Sequence, residues 1–281
     1  MTIREALTRA AGQFSAQPEL RATSAADAAR LLMHSLGIDR ATLIAHPERM
    51  LSREQYEAAQ RLIDRRLRFE PIQYITGTQE FFGLALKVSP AVLIPRPETE
   101  ILVEAAIARL AKDTPLRIAD VGTGSGAIAI ALAYALPRAF VTALDLSPES
   151  LVVARENATA HSLDDRIRFL GSDLLRAIAA EPPFDAIVSN PPYISDAEAA
   201  GLHRQVRDYE PAQALFAGPS GFEVYERLIP QAFALLKPNG LLALEIGHGQ
   251  RDRIAALLSG WRDVEFVPDL QQIPRVAIAR R

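Results

Sequence analysis

The sequence predicts a doubly wound α/β protein with a mostly parallel sheet, preceded by a small all-helical domain. Three observations carry this expectation. Apolar residues recur at helical spacing through roughly the first seventy positions, that period breaks between Tyr74 and Glu100, and short β-rich runs then alternate with helical ones.

In the first part, Ala28, Leu31, Leu32, Ser35 and Leu36 fall on one helical face, and Tyr56, Ala59, Ile63 and Leu67 on another. Ser52 followed by Gln55 forms a capping box ahead of the second series, while Gly37 and Pro47 separate the earlier helices. In "YITGTQEFFGLALKVSPAVLIPRPETE", Tyr74 to Glu100, alternating and β-branched residues around Gly83 and Ser89-Pro90 predict a β-hairpin. We place the helical domain at 1–75, the hairpin linker at 76–98 and the α/β domain at 99–281. Within the last, "LRIADV", "AFVTALDL", "DRIRFLGSD", "FDAIVSNPPY", "LLALEIG" and "RVAIAR" read as strands. "GAIAIALAYAL", "SPESLVVARENATA" and "GFEVYERLIPQAFALLKPNG" read as helices between them, and βα repeats of this kind wind right-handed.

The 281 residues are 49% hydrophobic and 23% charged with a net charge of -3, which excludes a disordered chain and argues against a phosphate-binding surface. The first 75 residues hold 11 Arg against 9 acids, an excess small enough for an ordinary solvated helix surface. With no cysteine, the chain has no disulfide, thiolate metal site or cysteine nucleophile. His34, His46, His161, His203 and His248 lack metal-ligand spacing, so no metal is expected and His248 reads as a turn residue. The start "MTIREALTRAAGQF" lacks a signal-peptide pattern and no apolar run reaches the length of a membrane span. A cytoplasmic protein, off the membrane and monomeric, is expected.

"LRIADVGTGSGAIAIAL" is a strand, a glycine turn and a helix, in which Gly122, Gly124 and Gly126 clear space for a ligand, with Thr123 and Ser125 between them. Because Gly122-x-Gly124-x-x-Ala127 also fits a dinucleotide pattern, the loop alone leaves a nicotinamide cofactor and S-adenosylmethionine both open. Asp145, closing the next strand, is placed to accept from both ribose hydroxyls of either. Asp173, after the third strand, is placed to accept from an adenine amine or to cap a helix.

"VSNPPYI", Val188 to Ile194, follows an apolar strand at the sheet edge where open α/β folds bind ligands. Proline drives Asn190 to an extended conformation, and Pro191 and Pro192 lack N–H groups, so the turn offers acceptors and almost no donors. A planar NH₂ group suits it: the Asn190 side-chain oxygen and the Pro191 carbonyl take one hydrogen each, orienting the nitrogen toward an electrophilic methyl, while Tyr193 packs on the flat group. Methyl transfer to an amide or base amino nitrogen fits these residues, and hydride transfer needs no such clamp.

With these motifs the chain resembles the HemK/PrmC family of N5-glutamine methyltransferases along nearly its whole length. The likeness includes "EPIQYITGTQEFFGLALKVSPAVLIPRPETE" (Glu70 to Glu100), "DYEPAQALFAGPSGFEVYERL" (Asp208 to Leu228) and "LLALEIGHGQ" (Leu241 to Gln250). The resemblance implies a class I, Rossmann-like methyltransferase domain with a seven-stranded sheet, joined by a hairpin to an N-terminal helical domain. It implies methylation of the glutamine in the Gly-Gly-Gln motif of class 1 peptide chain release factors. Carried over by position, Gly122, Thr123, Gly124, Ser125, Gly126 and Asp145 hold S-adenosylmethionine, with Asp173 and Leu174 beside the adenine and Asn190 facing both ligands. Asn190, Pro191, Pro192 and Tyr193 hold the glutamine, and Asn190, Pro191 and Tyr193 serve the transfer itself. Arg96, Pro97 and Glu98 form either the cleft wall or a hinge, and the helical domain is expected to meet the release factor away from the glutamine. The chain departs from the family's "DLAG…R" segment, reading "DLQQIPRVAIAR" from Asp269 to Arg280.

Two other substrates share the chemistry: a glutamine of a large-subunit ribosomal protein, and an adenine or guanine amino group of nucleic acid. The absence of a basic stripe or an RNA-binding signature argues against direct nucleic-acid contact.

Overall fold

Thr2 opens the first helix through a reciprocal cap, its hydroxyl accepting from the Glu5 amide at 3.2 Å while the Glu5 carboxylate accepts from the Thr2 amide at 2.8 Å. A computed structural model describes residues 1–281, and the chain forms two units. The helical unit is Met1–Gly77 with Leu202–Tyr209, and the α/β unit is Thr78–Gly201 with Glu210–Arg281.

The helical unit contains α1 (Ile3–Ser15), α2 (Ser24–Leu36), α3 (Arg40–Ala45), α4 (Arg53–Leu67) and α5 (Ile72–Thr76). Gly37 ends α2 at φ 61°, a left-handed conformation that suits glycine, and Ser52 with Gln55 caps α4 as the sequence predicts. Ile3, Phe14, Leu31, Leu32 and Ile63 fill its core. Into that core fits one ion pair, Arg66 Nε donating to Asp27 Oδ2 at 2.7 Å with both side chains buried.

The α/β unit opens with the hairpin β1 (Thr78–Phe81) and β2 (Leu84–Lys87), followed by α6 (Pro97–Ile107), β3 (Leu116–Val121), α7 (Ala127–Ala135) and β4 (Ala139–Asp145). Next come α8 (Pro148–Ala160), β5 (Ile167–Gly171), β6 (Phe184–Ser189) and β7 (Ile194–Ser195). After the excursion that carries α9 (Arg204–Arg207), the unit resumes with α10 (Ala212–Leu215), β8 (Phe216–Gly218), α11 (Glu223–Leu235) and β9 (Leu236–Glu245). It ends with α12 (Arg251–Leu257), β10 (Arg262–Pro268) and β11 (Pro274–Arg280). No helix is long and apolar enough to cross a membrane.

Seven strands form one sheet in the order β10-β11-β9-β6-β3-β4-β5, parallel except for the antiparallel pairings of β11 with β9 and β10. Alternate residues feed two cores, as the strand period requires: Leu241, Ala243, Val276 and Ile278 pack in one with Leu102 and Ile130, while Leu242, Leu244, Ala277 and Ala279 pack in the other with Tyr225 and Ile254. The elements read from residue pattern omit one strand of this sheet, β10, and run one helix too far. The helix predicted through Gly240 ends at Leu235: Leu236 is already extended, and Lys237, the residue before Pro238, is itself driven from the helical region, so the helix cannot resume.

β3 lies between β4 and β6, so the chain winds outward first on one side and then on the other. Ligands of open α/β sheets sit at this reversal. Val121 pairs with Ser189 across β3 and β6, and the Ser189 hydroxyl donates to the Val121 carbonyl at 2.6 Å. Gly122 and Asn190 therefore leave the sheet side by side.

The excursion belongs to the helical unit through specific contacts. The Arg204 guanidinium lies 3.9 Å from the centroid of the Phe69 ring, Gln205 Oε1 accepts from Arg66 at 3.2 Å, and the Tyr209 hydroxyl donates to the Arg68 carbonyl at 2.7 Å.

Candidate active site at the carboxyl edge of the sheet

The glycine turn is held from beneath by the neighbouring strand. Amides of Gly122 and Thr123 both donate to the Leu144 carbonyl, at 2.8 and 2.9 Å. Gly126 takes φ +83°, and a Cβ there would lie 3.1 Å from Ile130 Cδ1 and 3.2 Å from Ala154 Cβ, so only glycine lets α7 approach α8 this closely. Gly122, at φ +73°, would aim a Cβ toward the main-chain oxygen of Asn190 4.0 Å away, which measures how near the two motifs lie.

Asp145 receives the Gly124 amide on one carboxylate oxygen at 2.8 Å and the Ser147 amide on the other at 2.9 Å. Burial raises its pKa, and these amides oppose that rise. Lone pairs remain on both oxygens toward the cleft. Thr123 serves the turn from inside, its hydroxyl donating to Asp120 Oδ2 at 2.6 Å, where the Ala129 amide also arrives at 3.1 Å. Asp120 is fully buried with Oδ1 unpartnered, and burial pushes it up to about 7. Ser125 is buried as well and its carbonyl accepts from Asn157 at 2.9 Å.

A cleft opens above this turn at the carboxyl edge of the sheet, where open α/β folds bind their ligands. Gly122, Gly124, Asp145, Asp173, Leu174 and Asn190 all line it. Asp173 is not free there: Arg227 Nη2 donates to it at 2.6 Å and Arg176 lies 3.4 Å away, and the Arg227 hydrogen bond holds the carboxyl below its ordinary range. Leu174 stands at φ 55°, a conformation that costs an ordinary side chain of order 1 kcal/mol. A second, smaller cavity shares Gly122, Gly124 and Asn190 with the first and adds Arg96, Thr99 and Ser125.

The Asn-Pro-Pro-Tyr turn is fastened at three points. Asn190 Nδ2 donates to the Thr99 hydroxyl at 3.0 Å, and that hydroxyl reaches Glu245 Oε2 at 2.6 Å. Tyr193 brings its hydroxyl to 3.5 Å from Glu245 Oε1, and its carbonyl accepts from Gln250 Nε2 at 2.9 Å. Pro191 is buried and Pro192 half-buried at the cleft wall. Burial pushes Glu245 up to about 7 and raises Tyr193 above its ordinary value of 10.0. Arg96 joins Glu210 at 2.5 Å, and Glu210 also accepts from the Ile94 amide at 3.2 Å, while Pro97 starts α6 with Glu98 in its first turn.

The sequence reading passes over Asp120, Thr99, Glu245, Gln250 and Arg227. For two of them a signal exists: Asp120 and Glu245 are lone acids in the apolar strands "LRIADV" and "LLALEIG", and a buried acid is costly unless something partners it. Thr99 and Arg227 carry no such mark, since their partners lie far away in sequence.

A doubly wound sheet whose glycine turn and Asn-Pro-Pro-Tyr turn meet at the switch point defines a class I methyltransferase. Residues 5–77 match the PrmC N-terminal domain and residues 98–207 the methyltransferase small domain. Among solved structures, the ribosomal protein L11 methylase of Lactobacillus delbrueckii subsp. bulgaricus aligns with TM-score 0.51 and 27% identity over 70% of this chain and 85% of its own. The T. thermophilus 16S rRNA N2 G1207 methyltransferase, solved with AdoMet and guanosine, shares the fold at TM-score 0.55 and 21% identity over 73% of this chain and 49% of its own. The release factor glutamine methyltransferase of Koribacter versatilis is 47% identical over 89% of each chain, and that of Moorella thermoacetica 43% identical over 100% of this chain and 99% of its own. The chain belongs to the release factor glutamine methyltransferase family.

Proposed function

We propose that this chain transfers a methyl group from S-adenosylmethionine to the side-chain amide nitrogen of the glutamine in the Gly-Gly-Gln motif of class 1 release factors. One observation carries the reading: Asn190 is tied through its NH₂ to Thr99, so its oxygen is left for the hydrogens of an incoming amide beside the glycine turn. The relatives at 43% and 47% identity, named as release factor glutamine methyltransferases, support the substrate over a ribosomal protein or a nucleic-acid base.

The cleft suits the cofactor. Gly122 and Gly124 line it without side chains, and Asp145 offers carboxylate lone pairs for ribose hydroxyls. Leu146 and Leu174 supply apolar contact for an adenine, with Asp173 beside them. Thr123 and Ser125 hold the turn in shape. When bound, S-adenosylmethionine supplies an electrophilic methyl on a sulfonium.

The residues of this chain then act by orientation. Asn190 Oδ1 and the Pro191 carbonyl accept the two hydrogens of the glutamine amide, which aligns its weakly nucleophilic nitrogen and raises its electron density; the methyl gained would replace one of these hydrogens, released as a proton to solvent, with the cofactor left as a neutral thioether. Pro191 and Pro192 present no N–H that could compete for the amide. Tyr193 covers the planar group and keeps water from it. The protein works inside the cell, where release factors are found.

Labelled methyl transfer tests this, using intact release factor, a Gly-Gly-Ala variant and the large-subunit ribosomal protein in parallel. Label on the intact factor alone is expected. Label on the ribosomal protein instead rejects the substrate assignment. Asn190→Ala is expected to abolish transfer with cofactor affinity kept.

A further inference from the structure

The hydroxyl of Thr99 stands between two groups of the catalytic α/β unit. It faces Asn190 Nδ2 at 3.0 Å on one side and Glu245 Oε2 at 2.6 Å on the other, and both Thr99 and Glu245 are almost wholly buried, at 4% and 2% exposure. A hydroxyl carries one proton. While Glu245 is a carboxylate, that proton is committed to Oε2, and the Thr99 oxygen has only lone pairs to offer. Asn190 must then turn its NH₂ toward Thr99 and its oxygen toward the cleft.

Protonation of Glu245 removes this constraint. The carboxylic acid donates to the Thr99 oxygen, whose own proton is freed to meet Asn190 Oδ1. An amide turned over is then equally satisfied, and it presents NH₂ groups to an incoming NH₂. Donor facing donor does not bind.

We propose that Thr99 and Glu245 are positioning residues that set which end of the Asn190 amide faces the substrate. The inference rests on amide methylation at this turn and names how the clamp is kept in its accepting orientation. Other groups around Glu245 do not duplicate the role. Tyr193 reaches only 3.5 Å, Tyr225 of α11 donates to the main-chain oxygen of Glu245 at 2.8 Å, and Glu98 of α6 and Arg275 of β11 act on it through charge. Burial first, and Glu98 with it, push the Glu245 carboxyl up to about 7 against the opposing effects of Thr99, Arg275 and Tyr193. The switch in orientation therefore falls in the neutral range.

The test follows methyl transfer to intact release factor as a function of pH for the wild-type protein, Thr99→Val, Thr99→Ser and Glu245→Gln, with calorimetric cofactor affinity for each. Wild-type kcat is expected to rise with pH through about 7. Thr99→Val should lower kcat by at least about tenfold with cofactor affinity within about twofold, Thr99→Ser should restore most of that rate, and Glu245→Gln, a close isostere, should lose the acid limb. Thr99→Val with wild-type kcat, or Glu245→Gln with the wild-type acid limb, overturns the proposal. Wild-type protein that binds cofactor but methylates no release factor overturns the methyl-transfer reading itself, and the positioning role with it.

Discussion

Gln250 holds the main chain of the Asn-Pro-Pro-Tyr turn: its Nε2 donates to the Tyr193 carbonyl at 2.9 Å while its Oε1 accepts the Gly247 amide at 2.9 Å. The glycines nearby make room for this, since a Cβ on Gly221 would come within 2.7 Å of the Tyr193 oxygen and one on Gly247 within 3.0 Å of the Tyr193 ring. Gln250→Leu leaves the Tyr193 carbonyl without that donor, at a cost of about 1–3 kcal/mol. Transfer rate should fall about tenfold with cofactor affinity unchanged, since a small shift of a positioning group is enough for this. Equal rates for the variant and the wild type in single-turnover assays would reject it.

Asp145 and Asp173 differ in what already occupies them. Asp145 meets only backbone amides and keeps lone pairs for a ligand, whereas Asp173 is engaged by Arg227. Asp145→Ala should weaken S-adenosylmethionine binding by at least tenfold, about 1.4 kcal/mol, and Asp173→Ala by less. Calorimetric dissociation constants rank the two directly, and the reverse order would show the ribose role misplaced.

Asp120 and Glu245 both titrate near 7, far above their ordinary 3.8 and 4.5, chiefly because burial disfavours the charged form. Between those ordinary values and about 7 the folded state therefore holds protons that the unfolded state has released. The stabilisation is complete at low pH and disappears as pH rises through about 7. The ligand-free protein should melt at lower temperature at pH 8 than at pH 5, and Asp120→Asn should flatten that slope. These pH values bracket the folded-state titrations and lie roughly one and two units from them.

Much of this architecture can be read directly from residue spacing. The Ser52 cap, the Gly37 stop and the alternation of "LLALEIG" each report a local rule, and the structure obeys them. The glycine turn and Asn190 are legible for the same reason, because proline and glycine state their backbone needs in one residue. Residues whose partners are distant in sequence escaped for a different reason. Thr99 gains its meaning from residues 91 and 146 positions away, and Arg227 from one 54 positions away. No window along the chain contains such a pair.

The departure at "DLQQIPR" has a measurable cost. Asp269 accepts from the Gln271 and Ile273 amides and from Arg275, at 2.8, 3.0 and 2.9 Å, closing the turn between β10 and β11. Inside it Gln272 stands at φ 63°, a left-handed conformation that suits glycine. Gln272→Gly should stabilise the protein by up to about 1 kcal/mol, the relief of a left-handed side chain less the added freedom of the unfolded chain. Denaturant midpoints of the two proteins decide this, and a lower midpoint for the glycine variant would show that Gln272 gains more from its surroundings than it loses in its backbone.

The chain passes from one unit to the other after Gly77, after Gly201 and again after Tyr209. The helical unit is therefore not a cassette. Cutting it off at Gly77 leaves the stretch 202–209 attached to the catalytic unit but stripped of Arg66, Arg68 and Phe69, the residues that hold it. A truncated enzyme would carry a slack loop that starts 12 residues past Asn190 and should lose rate even on a short peptide for that reason alone. By the same logic, a helical unit transplanted from a relative has to bring its own version of 202–209, and in evolution the two stretches are obliged to change together.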